Sequence, residues 1–410
     1  MTKDMTSGST LRHIINFAVP LCMGMLFQLY SMVDTMIVGK VLGVQPLAGV
    51  GATGSLNFMI IWFCLGICNG FSIPIAQAFG ASKEVELRRY VANSTWLCVF
   101  FSIVITFFVC IFTRNMLVLL KTPEDIFEYA YIYILIIFLG IPCTFLYNFL
   151  AGVARALGDS KTPLMFLILS SVMNIALDFI LMIPIPLGVA GAAIATVISQ
   201  GVSGGICLIY MKKKFPILKA SRDEWRMRGN YMKRLCAIGV PMGLQYSITA
   251  IGSLVITAAV NVLGATAVAG VTAAQKINNL ITCPLESLGQ TMAPYTGQNI
   301  GAGKKERVSD GVKKASICGF VWSAICIPIV LLFGKPMTLL FLSEPNAEVV
   351  NYSFLFLLVS TLGYCLLTLV GTVRFSIQGM GYSGFAMTAG VLEMAARTIA
   401  GVVLAPLMGY

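Results

Sequence analysis

Apolar residues run through this chain in long, nearly unbroken stretches separated by short segments rich in charge, glycine or proline. Eleven such runs cover roughly 13–39, 47–79, 89–112, 126–151, 163–183, 189–211, 234–259, 267–299, 312–333, 348–374 and 385–405. A hydrocarbon core about 30 Å thick needs about 20 apolar residues per helix. Strands of a membrane barrel are only about ten residues long and alternate in polarity, and these runs do neither. The pattern predicts an all-α integral membrane protein. The first run is too long for a cleaved leader and carries Gln28 and Asp34 near its middle, so it is read as a retained span.

Composition agrees. Of the 410 residues, 58% are hydrophobic and 11% charged, with a mean hydropathy of +0.87, whereas soluble domains carry about 25% charged residues. The net charge of +11 has to be read by position. The N-terminal tail and the even-numbered loops hold 22 of the 28 Lys and Arg, nine of them from Lys212 to Arg234, while the odd-numbered loops hold four. That bias predicts a cell-membrane protein with its N-terminus and even loops in the cytoplasm. Anionic lipid is then a sufficient partner for the positive charge, and no nucleic-acid partner is called for. A single histidine, His13, excludes a multi-histidine metal site, and twelve cysteines without a CxxC pair read as small apolar residues. No Walker, HExxH or kinase signature is present; Gly158–Pro163 (GDSKTP) lacks the strand that precedes a phosphate loop. An enzyme is not expected, nor any cofactor beyond a coupling ion, and the chain is read as a monomer.

The sequence also repeats itself. Val19-Pro20 recurs as Val240-Pro241, Val41-Leu42-Gly43 as Val262-Leu263-Gly264, and Gly49-Val50 as Gly270-Val271. Gln77 and Gly80-Ala81 recur as Gln298 and Gly301-Ala302, all at an offset of 221 residues; Gly152 and Arg155 match Gly371 and Arg374 at 219. A fixed offset held over some 60 positions marks a duplication. Each repeat has an even number of spans, so the copies are parallel and related by an axis along the membrane normal, the layout of two-lobed alternating-access transporters. The expected organisation is a six-helix lobe at 1–211, a basic linker at 212–233, and a second lobe at 234–410 holding spans 7–11. The repeat predicts a twelfth span beginning near Tyr410.

Charges inside spans cost about 2.5–3.5 kcal/mol each at mid-bilayer and therefore face an interior. Asp34 lies mid-way along span 1, with Tyr30 one turn before it. Asn174 and Asp178 stand i, i+4 on one face of span 5, and Thr196 lies a turn and a half into span 6. If spans 1, 5 and 6 converge, these oxygens suit Na⁺; alternatively, two neighbouring buried acids share a titrating proton. No basic residue falls inside the first-half runs to neutralise them. The second half differs. At the 219 offset Asn174 and Asp178 map onto Glu393 and Arg397, which read as a self-neutralising pair or as a gate or substrate contact. Lys276 reads as a snorkelling lysine, as a partner of Glu286, or as a substrate or coupling residue.

Several stretches together resemble the MATE family of multidrug and toxic-compound exporters. They are LYSMVDTMIVGKVLG (Leu29–Gly43), ARALGDSKTP (Ala154–Pro163), NIALDFIL with LGVAGAAIATVISQ (Asn174–Gln200), and GQNIGAGKKERV (Gly297–Val308). The resemblance covers essentially the whole chain. It implies twelve helices in two lobes around a V-shaped cavity, and antiport of organic cations against Na⁺ or H⁺. It further implies the first-lobe cation site of the DinF-type branch, at positions matching Asp34, Asn174, Asp178 and Thr196. The NorM-type branch adds an acid in helix 7, where this chain has none between Leu235 and Ala259 and carries Thr249 instead. A lipid-linked oligosaccharide flippase of the same superfamily is the alternative; it calls for several basic residues lining the cavity, and only Lys276 and Arg397 are available for that. An enzyme acting on prenyl lipids would need an acidic DDxxD-type cluster, which is absent.

Overall fold

The computed structural model describes residues 3–29, 32–341 and 346–404, with the backbone alone at 29, 32–36 and 402–404. Fourteen α-helices make up most of the described chain: α1 (Thr10–Leu29), α2 (Met32–Leu42), α3 (Val44–Ala52), α4 (Gly54–Gly80), α5 (Glu84–Leu119), α6 (Glu124–Leu139), α7 (Ile141–Ala156), α8 (Lys161–Met182), α9 (Val189–Lys214), α10 (Gly229–Asn261), α11 (Ala265–Gly301), α12 (Lys305–Leu339), α13 (Ala347–Gly379) and α14 (Ser383–Thr398). The last continues as a π-helical stretch, Ile399–Leu404.

Every apolar run falls on one helix or on two in succession. Among the described residues, eight helices are long and apolar enough to cross a membrane, and the pair α6–α7, bent by 47° around Gly140, makes a ninth. The 37-residue α11 does not meet that criterion, because it carries Lys276, Glu286 and many small polar residues. About half of it is buried against other helices, and a helix sheltered by protein does not need an apolar surface all round.

The duplication is visible in the packing. Gly43 and Gly264, repeat counterparts, precede α3 and α11 with φ of 92° and 93°, a conformation that favours glycine. Gly49 abuts Tyr129 and its counterpart Gly270 abuts Tyr352, an offset of 223 for the tyrosines. Gly152 and Gly371, which lie against Cys68 and Gly289, are offset by 219. The first half thus holds four extra residues between those points, about one helical turn, and the bend at Gly140 lies among them.

The halves meet pseudo-symmetrically, α4 against α10 and α11 against α1, with α4 and α11 also touching. On the face that carries the N-terminus the contact is closed. A Cβ on Gly80 would overlap the carbonyl of Gln298, and one on Gly301 would overlap the carbonyl of Gln77. Gln77 donates to Gly379 O at 3.0 Å and accepts from Arg234 at 2.8 Å. Gln298 donates to Ala156 O and accepts from the Met5 amide, both at 2.9 Å. The N-terminal segment is strapped across this seam: Lys304 Nζ donates to Thr6 O, Arg307 to Gly8 O, and the Lys3 amide to Leu157 O. The basic linker docks on α5, where Glu224 accepts from Arg88 at 2.9 Å and Trp96 donates to Trp225 O.

Candidate functional site

Three of the expected ion ligands can be located with their side chains. Asp178 and Asn174 stand one turn apart on α8, and α9 runs alongside, brought close by Gly191, whose missing side chain would strike Leu181 O. Asn174 Nδ2 donates to Thr196 Oγ1 at 3.4 Å, and Thr196 Oγ1 donates to Ala192 O at 3.1 Å. Asp178 has no accessible surface (0%), so its carboxylate is enclosed by protein and does not face lipid. The helix bearing Asp34, α2, packs against both α8 and α9. Spans 1, 5 and 6 therefore converge as helices. The Asp34 side chain, and Tyr30 altogether, lie outside the described residues.

The second-half charges form a larger unit than the sequence predicts. Glu393 accepts from Arg397 at 2.7 Å through one oxygen and from Arg374 at 2.7 Å through the other; Arg397 also donates to Ser253 at 2.8 Å. The expected i, i+4 pair is present, and Arg374 joins it. Arg374 lies inside α13. The 219 offset also lapses by this point. Gly24 lies against Leu164 and Leu167, while its counterpart Gln245 lies against Gly390; Glu393 and Arg397 are thus displaced by about a turn from the positions equivalent to Asn174 and Asp178. Replacing Glu393 by Gln leaves two guanidinium groups facing a neutral amide. Breaking a buried pair costs roughly 3–5 kcal/mol, and the residual 18–34% exposure of these side chains places the loss toward the low end. A lower thermal unfolding midpoint than wild type in detergent is expected; an unchanged one would show that the triad carries no stability.

Lys276 is not paired with Glu286. Ten residues separate them, about 15 Å along the helix, and Lys276 Nζ instead lies 5.9 Å from the centroid of the Phe341 ring, just beyond the end of α12. The snorkelling geometry fits that position.

Two polar residues that sequence reasoning set aside stand between the halves. Arg155, assigned to a loop because it follows the fourth apolar run, lies inside α7 and donates Nη2 to Asn69 Oδ1 of α4 at 3.0 Å. First-half helices therefore do contain a basic residue. Glu286 is exposed, in the middle of α11. Window-averaged hydropathy conceals both, since one follows an apolar run and the other is diluted within one. The GDSKTP stretch proves to be a helix start. Asp159 accepts from the Lys161 and Thr162 amides at 3.0 and 3.1 Å and from Lys214 Nζ at 2.8 Å. Burial opposes its charge, but Lys214 and Thr162 outweigh that and hold its carboxyl below the usual range.

A single family model, described as MatE, matches the chain over residues 20–180 and again over 241–406. The chain belongs to the MatE family. The two matches start 221 residues apart, the spacing of the internal repeat. Among similar proteins, the MatE chain is 30% identical over 355 residues to the "Probable multidrug resistance protein YpnP" of Bacillus subtilis (strain 168), covering 86% of this chain and 79% of that protein. It is also 30% identical over 363 residues to the "Probable multidrug resistance protein YoeA" of the same organism, covering 87% and 78%. The fold matches, at a TM-score of 0.88 and 19% identity, a solved structure described as the outward-facing conformation of a multidrug resistance MATE family transporter of the MOP superfamily, over 99% of this chain and 97% of that one. As a MatE protein, the chain is a multi-pass membrane transporter and not an enzyme.

Proposed function

We propose that this MatE protein is a cation-coupled antiporter of the cell membrane that exports organic, cationic or amphiphilic drugs. The observation that carries this reading is Asp178, a carboxylate wholly enclosed by protein beside the Asn174–Thr196 pair, at the junction where the Asp34-bearing helix packs. A Na⁺ ion or a proton arriving at Asp34, Asn174, Asp178 and Thr196 would meet carboxylate, amide and hydroxyl oxygens there, the hard ligands that such a cation takes. The similar proteins named as multidrug resistance proteins support drug export as the coupled process. In this reading the lobes at 1–211 and 234–410 rock against each other around the 212–233 linker. The positive-inside bias makes the N-terminal face cytoplasmic, so the closed Gln77–Gln298 seam belongs to an outward-facing state. Arg374 and Arg397 both engage Glu393 and are not free to hold a lipid pyrophosphate, which weighs against a flippase.

The test is transport in proteoliposomes under an imposed Na⁺ or pH gradient. Drug uptake driven by one gradient is expected from the wild type and not from Asp34→Asn. Equal uptake by both proteins, or uptake indifferent to either gradient, would count against coupling at this site.

A further inference from the structure

Away from the seam, the second half carries a groove of about 450 Å³ between α12 and α13. Lys305, Ser309 and Lys313 stand on one face of α12, each a turn after the last, with Val312 beside them. Val373 and Ile377, one turn apart on α13, form the facing wall, and no acid lines the groove. The helices close at one end, where Ser316 and Thr372 hydrogen-bond at 3.2 Å. Beyond that point a Cβ on Gly319 would overlap the Thr368 side chain. The groove stands where α12 passes from charged to apolar, since no charged residue occurs between Lys314 and Lys335. Its polar end therefore lies at headgroup depth and its apolar end in hydrocarbon, on the side that the positive-inside bias makes cytoplasmic.

The neighbouring lysines are occupied: Lys304 donates to Thr6 O, and Lys314 pairs with Asp310 at 2.7 Å. The ammonium groups of Lys305 and Lys313, by contrast, make no ion pair or hydrogen bond among the described residues. In the first half the corresponding place is covered by protein. At the 221 offset Ser309 corresponds to Arg88, whose guanidinium holds Glu224 of the linker at 2.9 Å, and Pro216–Leu218 packs against α5.

We infer that the groove seats one anionic phospholipid of the cytoplasmic leaflet, its phosphate held by Lys305, Ser309 and Lys313 and an acyl chain laid along Val312, Val373 and Ile377. Charge and depth together select that ligand. Two uncompensated ammonium groups at headgroup depth call for an anion, and basic pockets between helices on this side of a membrane suit lipid headgroups. The two lysines are about 12 Å apart along the helix, and their flexible stems let both ammonium groups converge over the Ser309 hydroxyl. A soluble anion would satisfy the lysines and leave the apolar wall uncovered. A phosphatidylcholine would cover the wall but bring its own ammonium near the lysines, where like charges repel.

The experiment titrates the full chain, delipidated in detergent, with dioleoyl phosphatidylglycerol or dioleoyl phosphatidylcholine and reads the first lipid adduct by native mass spectrometry. Wild type is expected to bind the first phosphatidylglycerol about 25-fold more tightly, each lysine contributing about fivefold. The double variant Lys305→Gln/Lys313→Gln should bring that ratio close to one. Lys212→Gln/Lys213→Gln, which removes the same charge from the end of α9, should leave it unchanged. Val373→Trp fills the groove without altering charge and should weaken both lipids about tenfold, the scale of two methylene groups kept out of contact. All five positions are exposed, which keeps folding out of the comparison. Equal losses in the two double variants would mean that scattered surface charge binds the lipid, and would overturn the inference. So would unchanged affinity in Val373→Trp, or displacement of the lipid by millimolar inorganic phosphate, which would make this a site for free anions.

Discussion

Asp178→Asn is expected to lose gradient-driven export. The substitution keeps the shape of a side chain with no accessible surface and removes only its charge. If a travelling cation is what compensates that charge, the asparagine protein has nothing to exchange, and coupled transport falls by about two orders of magnitude, the upper end of ordinary coupling free energies. The paired readouts are drug uptake under a gradient and the thermal unfolding midpoint of the same preparation. A sharp fall in the midpoint would mark Asp178 as a structural residue held by a permanent partner, and retained uptake would mark it as irrelevant to coupling.

Gly80→Ala should hold the N-terminal face open. The new methyl would collide with the main-chain carbonyl of Gln298, and Gly301→Ala would collide in the same way with Gln77. A clash with backbone has no rotamer to relieve it, and overpacking of this kind costs about 1–3 kcal/mol. Since that cost falls on the closed state alone, it shifts the balance between closed and open by about 5- to 150-fold. Hydrogen exchange at residues 3–9 reports the shift directly, because the Met5 amide is held by Gln298 across the seam. Faster exchange there and slower export are expected for either alanine. Exchange and export at wild-type rates in both variants would mean that the seam yields without consequence, and that its glycines are not what allows closure.

The two repeat-related glycines also show how much a duplication reveals. Gly80 and Gly301 are recognisable in the sequence as counterparts, together with Gln77 and Gln298, but nothing in the pattern indicates that each glycine packs on the other repeat's glutamine. Arg155 illustrates the opposite difficulty. Its position after an apolar run reads as a loop anchor, and only the course of α7 brings it to Asn69. Asn174 and Thr196 were legible as candidate site residues because helical spacing and span membership are local properties. That they meet at 3.4 Å depends on how closely α8 and α9 approach, which Gly191 permits.

The order of apolar and polar positions determined the all-helical membrane class and the duplication, because hydrocarbon thickness and the satisfaction of backbone hydrogen bonds leave a chain of this hydropathy little else to form. The same pattern marked Asp34, Asn174, Asp178 and Thr196, since polar groups stand out against an apolar background. The tertiary structure alone decided which charges are already compensated. Glu393 engages two arginines, Lys276 leans on an aromatic ring, Arg155 reaches an asparagine, and Glu286 stands open between the halves. Electrostatic energy depends on distance and enclosure in space, and spacing along the chain fixes those only within a single helix.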